Sequence, residues 1–78
     1  MEMFFEKAAI KHISEKDAVT RNRLLRAIQN LPAGDIKKLR GRRNDYRLRV
    51  GDFRVIFSIS DSSIIISDVL PRGEAYKH

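Results

Sequence analysis

The stretch Asp45-Tyr46-Arg47-Leu48-Arg49-Val50-Gly51-Asp52-Phe53-Arg54-Val55-Ile56-Phe57 decides the fold. From Asp45 to Val50 apolar and charged side chains alternate, the period of a strand with one buried face. Tyr46, Leu48 and Val50 point one way, Arg47 and Arg49 the other. Gly51-Asp52 reads as a two-residue hairpin loop of the glycine-first kind. The next strand runs from Phe53 to Ser60, with Phe53, Val55, Phe57 and Ile59 on its inner face. A two-residue loop sets the register. Val50 then faces Phe53, Arg49 faces Arg54 and Arg47 faces Ile56.

Beyond Ser60, Asp61, Ser62 and Ser63 turn the chain. Ile64 to Leu70 forms a third strand, which Pro71 stops. A three-residue loop pairs Val55 with Val69 and Ile59 with Ile65, and sets Asp68 opposite Ile56 on the arginine face. A two-residue loop would bury Asp68 against Val55, at a desolvation cost. The three-residue register is therefore expected, with Asp68 holding the arginines in place.

Upstream, the period changes. Met3, Phe4 and Phe5 suit a short first strand. Ala9, Ile10 and Ile13 have the spacing of one helical face over residues 6 to 13. Asp17 is suited to cap a second helix, its side-chain oxygen meeting free N–H groups of the first turn. That helix runs to about Leu31, with Leu24, Leu25, Ile28 and Leu31 as the buried stripe and Arg21, Arg23 and Arg26 near the wet face. Pro32, Ala33 and Gly34 end it. The expected architecture is α+β: two N-terminal helices on one face of a small, twisted antiparallel sheet, ordered β1-α1-α2 and then a three-stranded meander.

The chain has 78 residues, which predicts a single domain over 1–78 with a small core. It has no cysteine, so disulfide stapling and thiolate metal sites are excluded. That absence points to a cytoplasmic protein. No apolar run approaches the ~20 residues of a membrane span, and Glu2, Glu6 and Lys7 interrupt any signal-like segment at the N-terminus. No metal-ligand spacing and no cofactor motif is present.

Sixteen lysines and arginines stand against ten acids, a net charge of +6. Eight of the sixteen fall between Lys37 and Arg54: Lys37, Lys38, Arg40, Arg42, Arg43, Arg47, Arg49 and Arg54. Clustering of this kind is the electrostatic footprint of a polyanion binder. Like charges directly opposed across a strand pair are destabilising, and folding alone does not ask for Arg49 opposite Arg54. Guanidinium groups match phosphate oxygens well. The competing reading is a plain solvated face, with the arginines snorkelling into water or pairing with Asp45, Asp52 or Asp68.

With Lys38-Leu39-Arg40-Gly41 ahead of it, the Asp45–Phe57 stretch closely resembles the signature of RelE-type toxins from bacterial toxin–antitoxin pairs. Arg72-Gly73-Glu74-Ala75-Tyr76 resembles that family's closing arginine-to-tyrosine motif. The likeness covers about half the chain, from Ile36 to Tyr76. It implies an antitoxin partner that wraps the toxin and, for the RelE branch, cleavage of messenger RNA in the ribosomal decoding site. By position, Arg54 matches the arginine that contacts the scissile phosphate, Arg72 the one that stabilises the transition state, and Tyr76 the tyrosine that stacks on or orients the RNA. Arg47 and Arg49 stand where the best-known member has lysines. Arg40 matches a basic position for ribosomal RNA contact, and Lys37, Lys38, Arg42 and Arg43 extend that basic surface.

Cleavage by a 2′-hydroxyl needs a proton acceptor, charge stabilisation at phosphorus and a proton donor to the leaving oxygen. Arg49, Arg54 and Arg72 suit the second task. Arginine does not serve as a base, because its pKa lies above ~12. Proton transfer falls to Glu74 or His78, with Tyr76 and Asp68 behind them; His12 reads as ordinary helix surface. Two other functions compete. A ParE-like gyrase poison would bind protein and need none of Arg54, Arg72 and Tyr76. A plain RNA-binding module would want exposed aromatic stacking surfaces, yet Tyr46, Phe53 and Phe57 fall on the core face.

Overall fold

A computed structural model describes residues 2–40 and 45–71. The elements are β1 (Glu2–Phe5), α1 (Lys7–Ser14), α2 (Ala18–Gln29), β2 (Ile36–Lys38), β3 (Asp45–Val50), β4 (Phe53–Ser60) and β5 (Ser63–Pro71). They build one five-stranded sheet in the order β1-β5-β4-β3-β2. The expected meander is its centre, β3-β4-β5. Two short edge strands extend it, and the sheet is mixed: β1 pairs parallel to β5, Glu2 with Ser63 through Phe5 with Ile66. The purely antiparallel expectation is corrected there. β2 pairs antiparallel with β3, Ile36 with Leu48 and Lys38 with Tyr46.

The β3–β4 register is as read from the hairpin, with Val50 opposite Phe53, Arg49 opposite Arg54 and Arg47 opposite Ile56. Gly51 has φ 58°, the left-handed conformation that a glycine-first loop demands.

The β4–β5 loop departs from expectation. Ser60 pairs with Ser63 and Ile59 with Ile64, so the loop holds two residues and not three. Asp61 takes the positive φ, at 51°. The register then shifts: Phe57 pairs with Ile66, but Ile56 with Asp68 and Val55 with Val69. Ser67 is the extra residue of a β-bulge. The bulge has a plain cause in the sequence. Ile64 and Ile66 are fully buried and Val69 is 2% exposed, yet strict alternation cannot place positions 64, 66 and 69 on one face. One unpaired residue changes the phase and keeps Asp68 out of the core.

Helices cover one face. Ala9 and Ile13 of α1, Leu24 and Ile28 of α2 and Leu31 beyond it pack on Leu48, Val50, Val55, Phe57, Ile64, Ile66 and Val69. The i, i+4 spacing within each helix aligns these side chains into a single stripe. Asp17 caps α2, accepting from the Thr20 N–H at 3.4 Å. That side-chain hydrogen bond lowers the Asp17 carboxyl pKa below its ordinary 3.8. Tyr46 and Phe57 stack with ring centroids 5.6 Å apart. Both belong to the helix-covered face, so neither offers a platform for bases.

Candidate functional site

The face of the sheet away from the helices carries the arginines. Lys37, Arg47, Ile56 and Asp68 form one row across β2, β3, β4 and β5, and Arg49, Arg54 and Leu70 the next. Lys37, Lys38, Arg40 and Arg49 are exposed. Arg47 and Arg54 are not: they retain 8% and 2% of their exposure. The three share one side of the sheet as expected, but the competing picture of a plain solvated face does not hold for Arg47 and Arg54. Arg54 turns back along its own strand end, where Nη1 donates to the Phe53 carbonyl at 3.1 Å and lies 3.5 Å from that of Gly51. The directly opposed arginines thereby take different environments, Arg54 inward and Arg49 outward.

Asp68 stands opposite Ile56 in the row of Arg47, as expected, and its carboxylate is engaged by α1. His12 Nδ1 lies 2.5 Å from Asp68 Oδ1, and the same oxygen accepts the Val69 N–H at 2.8 Å. A carboxylate partner requires the proton on Nδ1, which aims Nε2 away from the pair. His12 is therefore no ordinary surface residue: it ties α1 to β5 beside the bulge. Fifty-six residues separate the partners, and neither side chain signals the other in the sequence.

A groove of about 820 Å³ lies between α2 and the end of β3. Arg23, Arg26 and Arg49 line it. The Arg23 guanidinium packs on Gly51 so closely that a Cβ there would meet Nη1 at 2.9 Å. Composition alone did not separate this cationic surface from the sheet face. A helical count along α2 finds it, since Val19, Arg23, Arg26 and Asn30 follow i, i+4, i+7, i+11.

Arg42, Arg43, Arg72, Glu74, Tyr76 and His78 lie outside the described residues. Among the described residues no group of three His, Asp or Glu side chains is placed to hold a metal ion, and no helix is long and apolar enough to cross a membrane.

Comparison with known proteins adds the family. Residues 6 to 76 match the family model described as the ParE toxin of the type II toxin–antitoxin system parDE. The chain belongs to the RelE/ParE superfamily of toxins. Toxin RelE3 of Methanocaldococcus jannaschii is 29% identical over 86 aligned positions, covering 100% of this chain and 98% of that protein. Among solved structures, the RelB–RelE antitoxin–toxin complex from Methanococcus jannaschii matches with a TM-score of 0.77 at 30% identity, covering 95% of each chain. The archaeal RelE–RelB complex from Pyrococcus horikoshii matches at 0.76 and 28% identity, over 92% of this chain and 94% of that one. Both similarities extend over the helices as well as the strands of this RelE-like toxin.

Proposed function

We propose that this toxin is a single-domain, cytoplasmic, metal-independent endoribonuclease that cleaves messenger RNA at the ribosomal decoding site through the RNA's own 2′-hydroxyl, and that a cognate antitoxin holds it in check. The observation that supports the reading is the basic surface along β2 and β3: Lys37, Lys38, Arg40 and Arg49 are exposed there, and Arg47 and Arg54 adjoin Arg49 in the register of one hairpin. Arg49 is exposed and able to meet a phosphate directly. Arg47 and Arg54 lie beneath the surface beside it. Arg72 adds charge stabilisation and Tyr76 orients the RNA. Lys37, Lys38, Arg40, Arg42 and Arg43 supply salt-dependent attraction to the RNA backbone. Proton transfer is assigned to Glu74 or His78, because arginine is a poor base and Asp68 is engaged by His12. Positioning by the ribosome supplies much of the rate, as orientation of reacting atoms does generally.

The test is controlled expression followed by mapping of messenger-RNA 5′ ends, for wild type and for Arg49→Ala, Arg72→Ala and Tyr76→Ala. Cuts within translated messages that disappear in the variants are expected. Growth arrest with intact messages, unchanged by the substitutions, would move the reading to a gyrase poison.

A further inference from the structure

Strand β1 has an inner and an outer side. Met3 and Phe5 pack against the core, so alternation turns Phe4, between them, to the face away from the helices. The ladder traces that face across the sheet: Phe4 pairs with Ile65, Ile65 with Ser58 and Ser58 with Asp45. Arg47 and Arg49 follow Asp45 at alternate positions of β3, on the same side. Among the described aromatic residues only Phe4 is exposed, with 51% of its surface accessible. Half-buried Ile65 beside it and half-buried Ile56, diagonally across on β4, continue the apolar surface. The face therefore grades from an aromatic corner on β1 to the exposed cations Lys37 and Arg49 on β2 and β3. With strands about 4.8 Å apart and a rise of about 3.4 Å per residue, Phe4 lies roughly 20 Å from Arg49.

We infer that Phe4 stacks on an unpaired nucleobase of the RNA, a few nucleotides along the strand from the phosphate that Arg49 meets. The inference deepens the reading of the chain as an RNA-cutting toxin and rests on it. An exposed ring on a face with cations is the combination by which proteins hold single-stranded nucleic acid: the cations track the backbone and the rings take the bases. Base faces are free where the RNA is unpaired, so the occupant is a single strand and not a duplex. Glu2 is exposed two residues from Phe4 on the same side of β1. That carboxylate disfavours a phosphate there and leaves the base as the group that Phe4 meets. A second copy of the chain is a poorer occupant, because like faces of a molecule with a net charge of +6 repel. Folding gives no reason for the ring, since an edge strand ordinarily places a charged side chain at such a position. Tyr76 is assigned to the RNA at the cut; Phe4 adds a contact away from it.

The experiment uses the full chain and a short, unstructured, fluorescein-labelled single-stranded RNA, with an abasic chain of the same length as control. Affinity is read by anisotropy for wild type, Phe4→Ala, Phe4→Leu and Phe4→Tyr, and circular dichroism with a thermal melt checks that each variant retains the fold. Phe4→Ala is expected to bind the RNA at least about fivefold more weakly, roughly 1 kcal/mol by the standard conversion and the lower end of what one stacked base contributes. Phe4→Leu should be weakened to the same degree, and Phe4→Tyr should stay close to wild type. Affinity for the abasic chain is expected to be equal in all four proteins, and the salt dependence unchanged, since stacking releases no counterions. RNA affinity of Phe4→Ala within about twofold of wild type would overturn the proposal. So would Phe4→Leu matching wild type, or an equal loss on the abasic chain, since either removes stacking as the cause. A concentration-dependent dimer that Phe4→Ala abolishes with RNA affinity kept would overturn it in favour of a second copy. Phe4-dependent binding by a protein that cuts no messenger RNA would uphold the stacking site while ending the endonuclease reading. Cleavage by a protein with no affinity for the single strand would do the reverse.

Discussion

Removing the link between His12 and Asp68 should loosen α1 from β5 by a measurable amount. The two side chains are 34% and 27% exposed, and their nearest atoms are 2.5 Å apart. A hydrogen bond to a charged group contributes about 1.5–3 kcal/mol when well shielded. Partial solvent exposure reduces that toward about 1 kcal/mol. Asp68→Ala should cost more than His12→Ala, because it also removes the acceptor of the Val69 N–H, worth about 1 kcal/mol more. Asp68→Asn keeps an acceptor for Val69 and should fall between them. The assay is urea unfolding followed by circular dichroism, with both single alanine variants and the pair assembled into a double-mutant cycle. A coupling energy of about 1 kcal/mol is expected, and His12→Ala alone should lower the melting temperature by about 4–8 °C for a domain of this size. A coupling below about 0.3 kcal/mol, within the additivity of independent sites, would show that proximity at the bulge does not translate into stability.

Two further outcomes follow from local geometry. Asp17→Ala should lower the melting temperature near neutral pH, because the Thr20 N–H loses its acceptor. The folded-state pKa of Asp17 lies below the ordinary carboxyl value, so this deficit should be full above that value and shrink as pH falls through the lowered one; a series of melts downward from about pH 6 follows the loss. Gly34→Ala should cost about 2 kcal/mol or more in urea unfolding, since Gly34 has φ 125° and an added Cβ would meet Leu48 Cδ1 at 2.7 Å.

The central hairpin was legible because two signals agreed. Alternation named the inner face, and Gly51 fixed the loop length, so every β3–β4 pair followed. The β4–β5 pairing was legible only at one end. Val55 with Val69 and Ile56 with Asp68 came from avoiding a buried carboxylate, but Ile59 pairs with Ile64, because Asp61 accepts a positive φ and shortens the loop. The run from Ile64 to Leu70 carried the bulge in its phase change, which a search for uniform alternation passes over. β2 escaped notice for another reason: Ile36–Lys38 is three residues with two lysines, and it exists through backbone pairing to β3. Alternation also assigned Arg47 and Arg54 to the correct side of the sheet without saying how far each would be covered.

The opposed pair Arg49 and Arg54 shows how that last distinction bears on function. Read as two guanidinium groups side by side in water, the pair seemed to require a polyanion to relieve its repulsion. The folded hairpin relieves much of it internally. Arg54 bends onto the carbonyls of its own strand end, and Arg49 is left exposed along the groove beside Arg23 and Arg26. The repulsion argument for a phosphate site is weaker for that reason, and the case for RNA rests on the wider basic surface and the family. Attraction through that exposed surface should weaken as salt screens charge over about 10 Å at 0.1 M ionic strength, so RNA binding that stays unchanged across a salt titration would refute a recognition led by Lys37, Lys38, Arg40 and Arg49.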